Sequence, residues 1–327
     1  SDGSNEGYAT VDRMNLVFGN SAGGVITTSR NTTAPTGFGQ SMKFDVTTAD
    51  GSVASNQMVY MKTSLEAQDI RNSGWNYTSS SSYLTLSFWV RSSKTGIYCA
   101  FLETLDASYM RSSEYTISSA DTWEQKVLTF PGKTELVFND DNGAGLNIGF
   151  TFVVGTDRDG TNNTWETTNY GTSNQVNFLD STSNILYLTG IQLEVGEYTS
   201  STLPPFQHES YGDNLARCQR YYLTYAEGSG KMVGIAASYS SSEVVVMHNF
   251  PTSMRTAPTL EINTGSSYYS HGEAGSVESI TGSNISIDRV QLNGTQLLLT
   301  SMSANSGDAG FLYTGHGSSK ISYTAEL

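Results

Sequence analysis

An all-β chain is predicted by three features of the sequence. Short segments of alternating apolar residues recur every ten to twenty positions. Gly, Asn and Asp punctuate them, and one polar segment with helical spacing, near 210–222, interrupts the series. Strands at that spacing predict stacked antiparallel sheets rather than strand–helix–strand units. Of the 327 residues, only 15% are charged. The polar positions are instead mostly Ser, Thr, Asn and Gly, which favour turns and strands over helices. The length accommodates one large β-domain or two.

The strands follow in order. Residues 1–20 turn apolar at MNLVFGN, a leading strand, and 21–40 read as loop. Ser41–Val46 and Asn56–Met61 are short strands, Ser64–Asn72 a turn of helix, and 75–82 a loop. Leu84–Arg91 is the clearest strand: Leu84, Leu86, Phe88 and Val90 alternate with residues that are polar except for Trp89. Ile97–Thr104, Met110–Ile117, Trp123–Phe130 and Leu146–Val154 continue the series, and 155–176 is a polar loop long enough to suggest a function.

Ile185–Val195 then places Ile185, Tyr187, Ile191, Leu193 and Val195 on one face and Leu186 and Leu188 on the other. Gly190 marks a bulge or a close backbone approach. Pro204-Pro205 ends the sheet. Tyr211, Leu215, Cys218 and Tyr222 form a helical stripe behind an N-cap at Ser210 with Asp213 following. The stripe must dock, either within the chain or against other copies, because so short a helix is marginal alone. Strands resume at 223–226, 231–239, 243–250, 259–264, 277–281, 285–292, 295–302, 310–314 and 320–327, with a hairpin signal at Asn293-Gly294.

The run TGIQLEVGEY…PPFQHESYGDNLARCQRYY resembles a segment found near the C-terminal parts of tailed-bacteriophage tail fibres and other virion appendage proteins. LTLSFWVRSSKTGIYCAFLE, TWEQKVLTF and NFPTSMRTAPTL are similar to flanking pieces of the same family. The resemblance implies a jelly-roll β-sandwich similar to carbohydrate-binding modules over residues 1–206, a connector helix over 207–222 and a smaller C-terminal β-sandwich over 223–327. It further implies a virion location, a homotrimer, other virion proteins as partners and a structural calcium in the jelly-roll, but it identifies no ligand; a host cell-surface polysaccharide is the partner expected from the exposed aromatic and amide side chains considered below.

Composition bounds the chemistry. A net charge of −14 disfavours nucleic acid and anionic membrane, since phosphate binding needs concentrated Lys and Arg. No apolar run approaches the ~18 residues of a membrane helix, and no signal peptide opens the sequence, which predicts folding in the host cytoplasm. Cys99 and Cys218 read as buried thiols, not a bridge or a zinc pair.

Gly19-Asn20-Ser21-Ala22-Gly23 matches a hydrolase elbow but lacks the following helix, and reads as a turn. His208, His248, His271 and His316 show no ligand spacing, and Glu103, Asp106, Glu194 and Glu197 show no diagnostic pairing, so no enzyme is predicted. Asp157, Asp159 and Asn162 around Gly160 are the candidate calcium ligands. Sugar platforms are expected among loop aromatics, because a sugar's C–H face stacks on a ring while neighbouring amides take its hydroxyls. The candidates are Trp75 with Tyr77, Trp165 with Tyr170, and Tyr268 and Tyr269 with His271. Each has core packing or subunit contact as the alternative role.

Overall fold

The computed structural model describes residues 8, 13–20, 23–273 and 275–327. The chain divides into two compact units, 1–207 together with Leu327, and 208–326. The fold is all-β: a jelly-roll β-sandwich, a short helix and a smaller β-sandwich.

In unit 1, ten strands form two antiparallel five-stranded sheets. The strands are β1 (Asn15–Gly19), β2 (Val25–Asn31), β3 (Ser41–Thr48), β4 (Met58–Glu66), β5 (Tyr83–Ser92), β6 (Gly96–Thr104), β7 (Tyr109–Ile117), β8 (Glu124–Pro131), β9 (Ala144–Val154) and β10 (Ile185–Val195). The first sheet has the order β1-β4-β9-β6-β7 and the second β2-β3-β10-β5-β8. Their inner faces meet in one apolar core. Phe44, Leu86, Phe88, Leu186 and Leu188 come from the second sheet, and Val59, Leu102, Phe150 and Phe152 from the first.

Several elements depart from the sequence reading. Residues 21–40 contain β2, whose Ile26 and Thr28 turn inward; its Thr- and Ser-rich flanks concealed the alternation. The expected helix at 64–72 shrinks to α1 (Ala67–Arg71), because Ser64, Leu65 and Glu66 pair with β9. In β10, Thr189 opposes Trp89 while Gln192 opposes Ser87, so one extra residue enters at Gly190. The parity of the strand flips there. Leu186 and Leu188 face the core before the bulge and Leu193 after it, while Tyr187 points outward. The single continuous face expected for Ile185–Val195 is therefore split.

Unit 2 begins with α2 (Tyr211–Gln219), capped by the Ser210 hydroxyl, which accepts from the Asp213 amide at 3.2 Å. Tyr222 falls beyond the helix end and opens β11 (Tyr222–Glu227). Within unit 2, α2 buries no residue fully, and Tyr211 is 82% exposed.

The remaining strands are β12 (Met232–Ser238), β13 (Glu243–Asn249), β14 (Thr259–Ile262), β15 (Tyr269–Glu273), β16 (Ser276–Ile280), β17 (Ile285–Gln291), β18 (Gly294–Thr300), β19 (Ala309–Thr314) and β20 (Lys320–Thr324). A seven-stranded sheet of order β16-β15-β19-β12-β13-β18-β17 and a three-stranded sheet β11-β20-β14 enclose the second core. The Asn293-Gly294 signal marks a real hairpin, displaced by one residue. Gln291 pairs with Gly294, and the glycine is needed because a Cβ there would meet the His248 carbonyl at 2.6 Å. No helix among the described residues is long and apolar enough to cross a membrane.

His248 is fully buried in this second core. Its Nδ1 lies 2.6 Å from the Tyr323 hydroxyl, and its ring stacks on Tyr225 with centroids 3.7 Å apart. Burial pushes its pKa down from 6.5 to about 4. The folded state keeps His248 neutral where the unfolded chain already binds a proton, so this contribution is complete above about pH 6.5 and is lost as pH falls toward 4. Amide protection in β13 and β20, corrected for intrinsic exchange, is expected to drop roughly a hundredfold between pH 7 and pH 4.5. His248→Gln should flatten that dependence. Equal slopes in both proteins would refute the assignment.

Candidate functional site

The loop aromatics singled out from sequence fold back onto their own sheets. Trp75 is buried in the core of unit 1, with its indole N–H donating to the Ser82 carbonyl at 3.2 Å. Tyr77 packs edge-on against Phe138 at 5.0 Å. Trp165 leans on the core and donates to the Pro131 carbonyl at 2.8 Å. Tyr170 stacks on Tyr60 at 5.1 Å over the outer face of the first sheet, where Phe101 and Met110 complete a small apolar cluster. Burial, and then the Glu103 carboxylate, raise the pKa of its hydroxyl. In unit 2, Tyr269 and His271 are buried on β15, an element the sequence read as loop because its inward positions are Tyr, His and Glu. Tyr268 stays half-buried beside His316, with centroids 4.7 Å apart. Burial therefore withdraws Trp75, Tyr269 and His271 from any ligand-facing set.

The long loop 155–176 acts as a roof on the first sheet. Met110 and Glu166 exchange backbone hydrogen bonds of 2.7 and 2.8 Å, so the loop pairs with the free edge of β7. The Ser112 hydroxyl donates to Asn169, and Thr172 donates to Glu114 at 2.6 Å.

The expected calcium ligands serve the same purpose. Asp157 accepts from the Ser55 hydroxyl at 2.6 Å, and Asn162 accepts from the Glu114 amide at 3.1 Å. The two oxygens are thus tied to the loop before β4 and to β7. Among the described residues, no three His, Cys, Asp or Glu side chains cluster to hold a metal. Ser21 and Ala22 of the Gly19–Gly23 match lie outside the described residues. Of the four carboxylates considered, Glu103 is on the first sheet and accepts from Asn147, and Glu194 is on the second and accepts from Gln192. Cys99 is buried, and its thiol pKa is pushed up to about 11 by that burial.

The open aromatic surface is the outer face of the second sheet. Inward Val90, Leu186, Leu188, Met42 and Phe44 leave the alternate positions facing out. Register then lines up Arg91 on β5, Tyr187 on β10, Lys43 on β3 and Ser29 on β2 as successive partners. Trp123, the residue before β8, lies beyond Arg91, with its ring 6.2 Å from that of Tyr187. The next row holds Gln125, Trp89 and Thr189. All of these are half-exposed or exposed.

The Arg91 guanidinium sits 5.3 Å from the centre of the Tyr187 ring, and its Nε donates to the Asp121 carbonyl at 2.8 Å. Lys43 pairs with Asp45 at 2.6 Å. The row crosses five strands, a span of roughly 19 Å at about 4.8 Å per strand. Rings available for stacking thus alternate with charged and hydroxyl groups available for hydrogen bonds.

This face has a boundary. After β10 the chain returns across it: the Thr85 hydroxyl donates to the Gly196 carbonyl at 2.7 Å, Gln192 donates to the Pro204 carbonyl at 3.3 Å, and Phe206 meets Phe38 edge-on at 5.0 Å. Thr85 and Ser87 are buried on this outer side. Gly190 shapes the junction, with φ +61°, and a Cβ there would meet Phe38 at 2.6 Å and Trp89 at 3.2 Å. Sequence reasoning passed over this platform because it sought aromatics in loops. The available signal was Trp89, an aromatic in the polar register of a strand.

Gly190→Ala is expected to destabilise unit 1 by about 1–3 kcal/mol, from the positive φ and the displaced Phe38 ring. It should also shift Trp89 fluorescence, isolated by replacing the other three tryptophans. An unchanged urea midpoint would show that the bulge carries no strain.

No protein-family model matches the sequence, and no curated protein matches it. Among solved structures the chain is similar to a tailspike protein 4 domain of bacteriophage CBA120, described as enzymatically active, at 12% identity over 56% of this chain, TM-score 0.28. It spans only 19% of that protein. It is also similar to a family 11 carbohydrate-binding module of Clostridium thermocellum in complex with a mixed-linked tetrasaccharide, at 12% identity over 57% of this chain and 90% of the module, TM-score 0.33. A xylan-binding domain of Paenibacillus barcinonensis is similar at 9% identity over 56% of this chain and 87% of the domain, TM-score 0.26. The assignment of the site rests on its own residues.

Proposed function

We propose that this chain binds a carbohydrate across the outer face of the second sheet of unit 1. The observation that carries the reading is the outward row Trp123–Arg91–Tyr187–Lys43, with Trp89 in the adjacent row. Indole and phenol rings offer faces to sugar C–H groups, and Arg91, Lys43, Asp45, Ser29 and Gln125 offer donors and acceptors to hydroxyls. Both cations are already paired with carboxylates, so the face suits a neutral or weakly acidic glycan better than a polyanion.

The biological setting belongs to the same proposal. The resemblance of 189–222 to tailed-phage appendage segments supports a virion protein acting as an oligomer, a homotrimer by that resemblance, that attaches reversibly to host-surface polysaccharide alongside other virion proteins. Several weak sites acting together would supply avidity. Binding without turnover is proposed: of the four acids considered for glycoside cleavage, Glu103 and Glu194 lie on opposite sheets. A second reading, a virion architectural part with no glycan site, is favoured by the packing of Trp165 and Tyr170 within their own unit.

Titration of host polysaccharide fragments by calorimetry or on a glycan array tests the proposal. Trp123→Ala and Tyr187→Ala should each weaken binding about tenfold, some 1.4 kcal/mol, with Trp165→Ala leaving affinity unchanged if it folds. Polysaccharide length should be unaltered by incubation with the protein. Binding that survives both substitutions would move the site elsewhere. Shortened polysaccharide would make the protein a depolymerase, and no binding at all would favour the architectural role.

A further inference from the structure

Strands β7 and β8 are edge strands of different sheets and flank one side of the first sandwich. On β7, Met110 and Ser112 turn outward beneath the 155–176 loop. Arg111 and Ser113 therefore turn inward, in line with Tyr109 before them and Tyr115 after them, both packed on the core. The antiparallel bridge between Met110 and Glu166 brings Trp165 alongside Arg111. Trp165 also packs on the core and is anchored to β8 through the Pro131 carbonyl.

Three cations line this side. Lys126 on β8 donates to the Thr116 carbonyl and pairs with Glu124 at 2.6 Å. Lys133, just past β8, pairs with Glu135 at 2.7 Å and sits 5.0 Å from the centre of the Tyr109 ring. Arg111 lies on β7 between Tyr109 and Thr116, and it has no acid. Its Nε is buried and has no hydrogen-bond partner. Among the described residues, neither its guanidinium nor the hydroxyl of the buried Ser113 finds an acceptor. Burial lowers the Arg111 pKa, and the group opposing that is the Tyr83 hydroxyl rather than a carboxylate.

A cation taken from water without a counter-charge weakens a fold. The chain has 31 Asp and Glu for 17 Lys and Arg, and both neighbouring lysines have an acid. We propose that Arg111 and Ser113 form a site for a single oxoanion, a carboxylate or sulfate group, bordered by Tyr109 and Trp165. A guanidinium fork matches two oxygens of such a group at once, and a serine hydroxyl supplies a further donor. The flanking rings keep water away, which strengthens each charged hydrogen bond. A net charge of −14 repels polyanions, so the ligand is one oxoanion rather than a nucleic acid. The inference does not rest on the carbohydrate reading. Arg111 turns inward from the first sheet, whereas the proposed platform is the outer face of the second.

Nuclear magnetic resonance of the full chain, with arginine labelled by nitrogen-15, tests it. The Arg111 Nε–H resonance is assigned by its loss in Arg111→Lys. Because the guanidinium is one conjugated group, binding at any of its nitrogens moves that resonance. Sodium sulfate, acetate and glucuronate are titrated at constant ionic strength against chloride. At least one oxoanion should give a saturable shift at a concentration tenfold or more below any effect of chloride. Thermal unfolding then reads the variants. The same oxoanion should raise the wild-type midpoint above its value in chloride, and Arg111→Leu should abolish that difference. Ser113→Ala should weaken the apparent affinity at least threefold. In chloride alone Arg111→Leu should be no less stable than wild type, since a desolvated charge has gone. If that variant fails to fold, the wild-type resonance still decides. A resonance that follows chloride as closely as every oxoanion overturns the proposal, and so does a midpoint difference retained in Arg111→Leu. Glucuronate saturating tenfold below acetate and sulfate would support an acidic sugar as the source. Equal saturation would support a free oxoanion.

Discussion

Burial of Leu186 and Leu188 against the opposite sheet is the constraint on which the candidate site depends. Side chains on a strand alternate with a period of two, so fixing two inward residues fixes every outward one. That register sets Tyr187 outward between Arg91 and Lys43. A slip of one residue would bury the tyrosine and expose two leucines, a change the apolar core opposes strongly. The bulge at Gly190 then restores inward packing for Leu193 further along the same strand. It lets the chain turn back over half of the face while the other half stays open. One central strand thus builds the core, carries the ring at the middle of the platform and marks the platform's limit.

The two sheets of unit 1 solve the same problem differently. Each has an outer face that solvent alone would have to cover. The first sheet receives the long loop 155–176, pinned by Asn169, Thr172 and Tyr170, and this also closes the edge of β7. The second receives only the short return after β10. The loop rich in aromatic and amide residues is therefore held down on its own sheet, and the proposed ligand face is the barer sheet. Polar composition in a loop does not distinguish these roles, since amides that pin a loop and amides that greet a sugar are the same groups.

Unit 2 repeats the sandwich on a smaller scale but leaves more of itself unpaired. Its core includes His248 and Thr295 among its apolar residues. Burial holds His248 neutral, which ties the stability of this unit to pH. Apolar residues that the second core does not use lie on the outer face of the seven-stranded sheet and on α2.

The sequence alone determined that the chain is all-β, that a short capped helix follows the Pro pair, that Gly190 breaks a strand and that most strands lie where alternation placed them. These are local properties, written in period-two patterning, capping chemistry and the conformational freedom of glycine. It did not reveal β2 or β15, whose inward positions include Thr, His and Glu and so carry little hydrophobic alternation. Nor did it show that the parity of β10 reverses at the bulge, or that Trp75, Tyr269 and His271 are interior. Those outcomes were decided by tertiary structure, because whether a ring is buried depends on which distant segment comes to lie over it. That choice is made by packing between residues as far apart in sequence as Tyr60 and Tyr170, or Phe38 and Phe206.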